Sequence, residues 1–97
     1  MIVLIVKYHV KPGMVDQVIA ALQEMAPLVK AHEPGCPLYQ VSRSQEHPDL
    51  LLLCEHYADA GALQAHRETP HFKRIIEGAV IPMIERRERE LYDLVVS

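Results

Sequence analysis

The sequence predicts an α+β fold in which four antiparallel strands carry helices on one face. Three observations lead there. Apolar, β-branched runs and stretches of helical periodicity follow one another in the order β, α, β, β, α, β. Only a short polar turn separates the two middle runs, so they pair as a hairpin. Right-handed crossovers then leave few places for the first and last strands, and the ferredoxin-like sandwich satisfies them. With 97 residues and no repeat, linker or low-complexity tract, residues 1–97 read as one domain.

Each element has its own signals. Residues 2–10 are a β-branched run closed by Lys11, Pro12 and Gly13, a strand and its stop. Val15, Val18, Ile19, Leu22, Met25, Ala26 and Val29 recur at helical spacing and predict an amphipathic helix over 14–32. Pro27 should kink it, because proline removes one backbone hydrogen bond and crowds the preceding turn. Glu33, Pro34 and Gly35 end the helix, and strands follow near 37–44 and 50–57 with a turn at His47, Pro48 and Asp49. That turn sets Cys36 opposite about Tyr57, away from Cys54, so both cysteines are expected to be free, small buried hydrophobes. Asp59 caps a short helix carrying Ala60, Ala62, Leu63 and His66. Pro70 pushes Thr69 out of helical geometry and itself suits the first turn of a second helix over about 70–81, which buries Phe72, Ile75, Ile76 and Ala79. After Pro82, residues 87–96 read as the last strand, with E-R-R-E-R-E at 85–90 as a solvated helix end and edge-strand start.

The first and third strands do not alternate. V-L-I-V and L-L-L-L-C ask for burial on both faces of the sheet, whereas the helices cover one. A small domain also has little core of its own. The expectation is a two-fold homodimer through the bare sheet face, a dimeric α+β barrel.

Composition excludes several classes of function. A hydrophobic fraction of 49% with 24% charged residues is that of a globular protein, and no apolar run approaches the roughly 20 residues that span a bilayer, so membrane insertion is not expected. The formal net charge is -3 and the ten basic residues are scattered, which argues against nucleic acid. The apolar start lacks a basic leader and a small-residue cleavage site, so it reads as a strand and the protein as cytoplasmic.

Six histidines invite a test of metal binding. His66 and His71 stand five apart across a proline, not the four of a helical ligand pair, and no H-x-H or C-x-x-C occurs, so no metal site is expected. A G-x-S-x-G nucleophile and a phosphate-binding glycine loop are also missing. What remains is a set of polar groups embedded in apolar elements. Glu55 and Tyr57 share a face of the third strand with Leu51 and Leu53. A buried carboxylate there needs a partner, and an arginine from a neighbouring strand or helix is the expected one. Tyr8 and His9 lie on opposite faces of the first strand, and the sequence leaves open which of them meets the helices. His47, in a turn, is expected in solvent. His66 ends one helix and His71 starts the next, where the positive end of the helix dipole favours a neutral imidazole and hence a base or acceptor. A purely structural junction is the competing reading.

Three segments together resemble one family. E-P-G-C-P-L-Y at 33–39, L-C-E-H-Y-A-D at 53–59 and A-L-Q-A-H-R-E-T-P-H-F at 62–72 are similar to the antibiotic biosynthesis monooxygenase domain, and the likeness runs through nearly the whole chain. The resemblance implies ferredoxin-like dimers. It also implies, for several members, oxidation of quinols or related hydroquinones by molecular oxygen without a cofactor. On that basis His66 and His71 are the catalytic candidates, and Tyr8, Glu55, Tyr57 and Phe72 the substrate-binding ones. The haem-degrading branch places tryptophan where this chain has His66 and a ligating histidine where it has Ile76, and the chain contains no Trp, so haem chemistry is not expected. A branch acting on a phosphorylated signalling sugar shares H-x-x-T-P-H-[FY], which keeps an isomerase of a small oxygenated metabolite as an alternative. A non-catalytic ligand-binding or regulatory dimer is the other.

Overall fold

The first strand occupies the middle of the sheet. In the computed structural model, which describes residues 1–97, β1 (Ile2–Val10) pairs on one side with β3 (Leu50–Tyr57) and on the other with β4 (Ile84–Asp93). β2 (Leu38–Arg43) adds to the far side of β3, giving the order β2-β3-β1-β4 with every neighbour antiparallel. This is the ferredoxin-like topology that the element order predicted.

Period-two alternation decides what faces the helices. Leu4, Val6, Tyr8 and Val10 of β1 are buried, as are Leu51, Leu53, Glu55 and Tyr57 of β3, and the register Tyr8↔Leu51 and Leu4↔Glu55 puts them all on one side. Against that side lies α1 (Val15–His32), which buries Val15, Val18, Leu22, Met25 and Val29 along one stripe. α2 (Ala60–Glu68) adds Leu63 and His66, and α3 (Phe72–Val80) adds Ile75, Ile76 and Val80. Tyr8 therefore belongs to the helix side and His9 to the open face. Gly13, at φ 80, makes the turn between β1 and α1 in a conformation that favours glycine.

The helix ends follow the sequence signals. The Asp59 carboxylate accepts from the Ala62 N–H at 2.8 Å and caps α2. Thr69 is extended (φ -68, ψ 149), its hydroxyl donates to the His66 carbonyl at 2.8 Å, and its oxygen accepts from the Phe72 N–H at 3.1 Å. One side chain thus closes α2 and opens the next helix. Between α1 and β2 the chain presses on α2: the Ala58 N–H donates to the Gly35 carbonyl at 2.8 Å, and a Cβ on Gly35 would stand 2.7 Å from the Cβ of Ala62. Cys36 and Cys54 are free, and Cys36 is buried.

Two elements depart from expectation. α3 has wide π turns, shown where the Ile81 N–H bonds back to the Ile76 carbonyl. Ile75 and Val80 are five residues apart, and the wider turn keeps both in the core. A short 3-10 turn, Ile81–Met83, follows, and β4 begins at Ile84, not near 87. E-R-R-E-R-E is consequently strand, because β4 takes its length from pairing with β1: Val10 meets Ile84 and Ile2 meets Asp93. Val95 and Val96 lie beyond the last partner and are exposed.

The other face of the sheet has no helix over it. Val3, Ile5, Lys7 and His9 of β1 share it with Leu50, Leu52, Cys54 and His56 of β3, and Leu52 is 37% exposed. At its margin His9 Nε2 meets Glu88 at 2.8 Å, with Arg86 3.1 Å from the same carboxylate.

Candidate functional site

The seam between α1 and β2 supplies a carboxylate that organises two histidines. Glu33, the residue that ends α1, is 9% exposed. Its Oε1 lies 2.7 Å from His66 Nδ1 and its Oε2 lies 2.6 Å from His71 Nε2. A carboxylate only accepts, so both ring nitrogens carry the hydrogen and donate. That fixes the His66 tautomer: Nε2 keeps its lone pair and stands 3.7 Å from Oε1 of Glu55. Burial lowers the His66 pKa and so favours the neutral ring, outweighing the opposing pull of Glu33 towards the imidazolium.

Glu55 completes the polar core. It is 3% exposed and accepts from the Tyr57 hydroxyl at 2.5 Å, so its partner is a tyrosine on its own strand in place of the expected arginine. Two residues apart on a strand share a face, which is why the contact forms. Burial pushes the Glu55 carboxyl up to about 7, opposed by the Tyr57 hydrogen bond and raised further by the Glu33 charge. The Tyr57 hydroxyl is in turn driven well above its ordinary range by burial and by Glu55. Burial also pushes the Cys36 thiol up to about 11, so it is no thiolate at neutral pH.

His66 and Glu55 face a cavity of about 500 Å³ between sheet and helices. Leu4, Val6 and Tyr8 form its floor, Tyr39 and Phe72 supply aromatic walls, and Ile76 and Ile81 close one side. The His66 ring is packed among three aromatic rings, with centroids at 5.1 Å to Phe72, 5.4 Å to Tyr57 and 6.0 Å to Tyr39. Burial raises the pKa of the Tyr8 and Tyr39 hydroxyls. The volume falls in the ordinary range for a small-molecule site.

Of the six candidate residues, His66, Glu55, Tyr8 and Phe72 line this cavity. Tyr57 lies behind Glu55 with its ring fully buried, and His71 lies behind Glu33. Sequence reading passed over Glu33, Tyr39, Arg67, Arg87 and Arg89. Glu33 carried one usable signal, an acidic residue at the negative end of a helix, where the dipole disfavours it. Arg87 and Arg89 had another: as strand residues two apart they share a face, and the register sets them opposite Tyr8 and Val6.

Comparison with known proteins bears on the family and the fold. The family model described as "Antibiotic biosynthesis monooxygenase" matches residues 1–78. A search of curated proteins returns no match. Among solved structures, a "putative antibiotic biosynthesis monooxygenase" from Caulobacter crescentus CB15 superposes with TM-score 0.90 at 29% identity, covering 98% of this chain and 90% of that one. An antibiotic biosynthesis monooxygenase matches at TM-score 0.88 and 26% identity over 99% of this chain and 100% of its own. A conserved protein from Methanosarcina mazei Go1 matches at TM-score 0.85 and 27% identity, over 94% of this chain and 89% of that chain.

Proposed function

Because the chain belongs to the antibiotic biosynthesis monooxygenase family, we propose that the cavity beside His66 oxidises a hydroquinone or similar electron-rich phenol with molecular oxygen, without a cofactor. The observation that carries this reading is the Glu33–His66 pair: a buried carboxylate holds Nδ1–H and leaves Nε2 as an acceptor at the cavity wall. The same division of labour between carboxylate and imidazole serves general-base catalysis elsewhere.

The phenol hydroxyl gives its proton to His66 Nε2, and Glu33 offsets the charge of the imidazolium. The phenolate then reduces oxygen by one electron, the radical and superoxide combine at a ring carbon, and the resulting peroxide breaks its O–O bond. One oxygen stays on that carbon, the other leaves as water, and the ring departs as a hydroxyquinone. Oxygen is reduced by four electrons, all from the substrate, whose ring C–H and two hydroxyl hydrogens are consumed. Tyr39, Phe72 and Tyr8 supply the aromatic part of the wall against which such an intermediate would stack. His71 acts through Glu33 as a positioning residue.

The proposal includes a homodimer through the open sheet face. Val3, Ile5, Leu52 and Cys54 give that face an apolar centre, and Arg86, Glu88 and Glu90 of β4 give it a margin of both signs that a two-fold copy can complement.

Oxygen uptake by metal-free protein with a panel of hydroquinones tests the reading. Substitution His66→Ala should cut turnover by about 10²–10⁴-fold. Unchanged uptake removes His66 from the chemistry. No uptake with any hydroquinone overturns the monooxygenase and leaves the isomerase or the ligand-binding dimer.

A further inference from the structure

Three arginines share the lining of the His66 cavity. Arg87 and Arg89 reach it from β4, opposite Tyr8 and Val6, and Arg67 reaches it from α2, next to His66 in the chain. The ion pairs of the molecule engage Arg74 and Arg86, and none involves these three. Glu77, the other carboxylate on the lining besides Glu55, pairs with none of them. Arg67 is half-buried, and Arg87 and Arg89 are exposed at the mouth of the cavity. The three like charges around one concavity repel one another, and burial together with Arg67 and Arg87 lowers the pKa of Arg89 against the opposing pull of Glu55. An anion inside the cavity relieves that repulsion, which edge-strand charge alone leaves in place.

We propose that the substrate is an aromatic acid: a phenol that also carries an oxyanionic substituent, carboxylate or phosphate ester, bound by Arg67, Arg87 and Arg89 while its hydroxyl meets His66. This deepens the reading of the same site given above and rests on it for the role of the hydroxyl. Guanidinium forks bind carboxylate and phosphate oxygens in pairs, which orients the ring as well as attracting it. The aromatic body fills the space between Tyr39 and Phe72. The cationic wall also favours the phenolate over the phenol, so anchoring and proton removal support each other.

Binding of redox-inert probes separates this proposal from the oxidase reading. The chain has no Trp, so the fluorescence of 2-naphthoate, 2-naphthyl phosphate and the neutral 2-naphthamide can be followed directly. At least one of the two anions should bind about tenfold or more tightly than the amide, and the tighter of them identifies the oxyanion. The preference should shrink with added salt and fall to about twofold or less in an Arg87→Gln/Arg89→Gln double variant whose fold is checked by circular dichroism. Arg87→Lys should restore part of it. Equal binding of anions and amide, no binding of any probe, or a preference that survives the double variant overturns the proposal. Anion preference without oxygen uptake by dihydroxynaphthoates leaves the arginine site standing and removes the monooxygenase. Uptake without anion preference does the reverse.

Discussion

At the scale of single residues, Glu33 and Glu55 have opposite duties. Glu33 accepts from two imidazoles at once. In Glu33→Gln, the amide nitrogen has to face one ring and forces it into the other tautomer, so the variant should lose about 1–3 kcal/mol in urea unfolding and misdirect His66 Nε2. An unchanged unfolding midpoint would mean that the two histidines do not depend on Glu33. Glu55 is raised by burial from 4.5 to about 7, so between those values the folded protein holds a proton that the unfolded chain has released. Its stabilising contribution is complete below 4.5 and is lost as pH rises through 7. Relative to Glu55→Gln, the wild-type protein should therefore lose up to about 3 kcal/mol between pH 4.5 and pH 8. His66 works against this on the acid side, because its lowered pKa favours the unfolded state once the free imidazole protonates. The difference between wild type and Glu55→Gln isolates Glu55; parallel stability profiles would refute the raised carboxyl.

At the scale of elements, the site depends on how α2 is seated. The capping of Asp59 and the double duty of Thr69 set its two ends, and both were legible because each rests on contacts within three residues. The contact between Gly35 and Ala62 was not legible, since it joins residues 27 positions apart in space alone. A methyl at Gly35 cannot fit against the Ala62 Cβ at 2.7 Å without moving α2 and His66 with it. Gly35→Ala should cost about 1–3 kcal/mol and reduce turnover. Adding Ala62→Gly should recover more of both than the separate effects allow, and strict additivity in that double-mutant cycle would show that the two positions do not touch.

At the scale of the whole molecule, the unanswered surface is the open sheet face. Its apolar centre and its charged margin make a second copy the proposed occupant. Light scattering at micromolar concentration should give twice the chain mass. Leu52→Glu, placed in the centre of that face, should shift the protein to monomer while leaving its secondary structure intact. A monomeric wild type would remove the dimer. The π turns of α3 also belong to this scale, because Ile75, Ile76 and Val80 all reach the shared core from that helix.

The sequence alone determined the order of elements, the topology, the helix break at Thr69 and Pro70, and the family. Each is written in short-range periodicity, in proline geometry or in contiguous motifs. Only the tertiary structure decided which side of β1 meets the helices, where β4 begins, and who partners Glu55. It also brought together Glu33, His66 and His71, and it set three scattered arginines on the lining of one cavity. Strand pairing and helix docking join residues far apart in the chain, and a one-dimensional pattern records each side of such a contact but not the meeting.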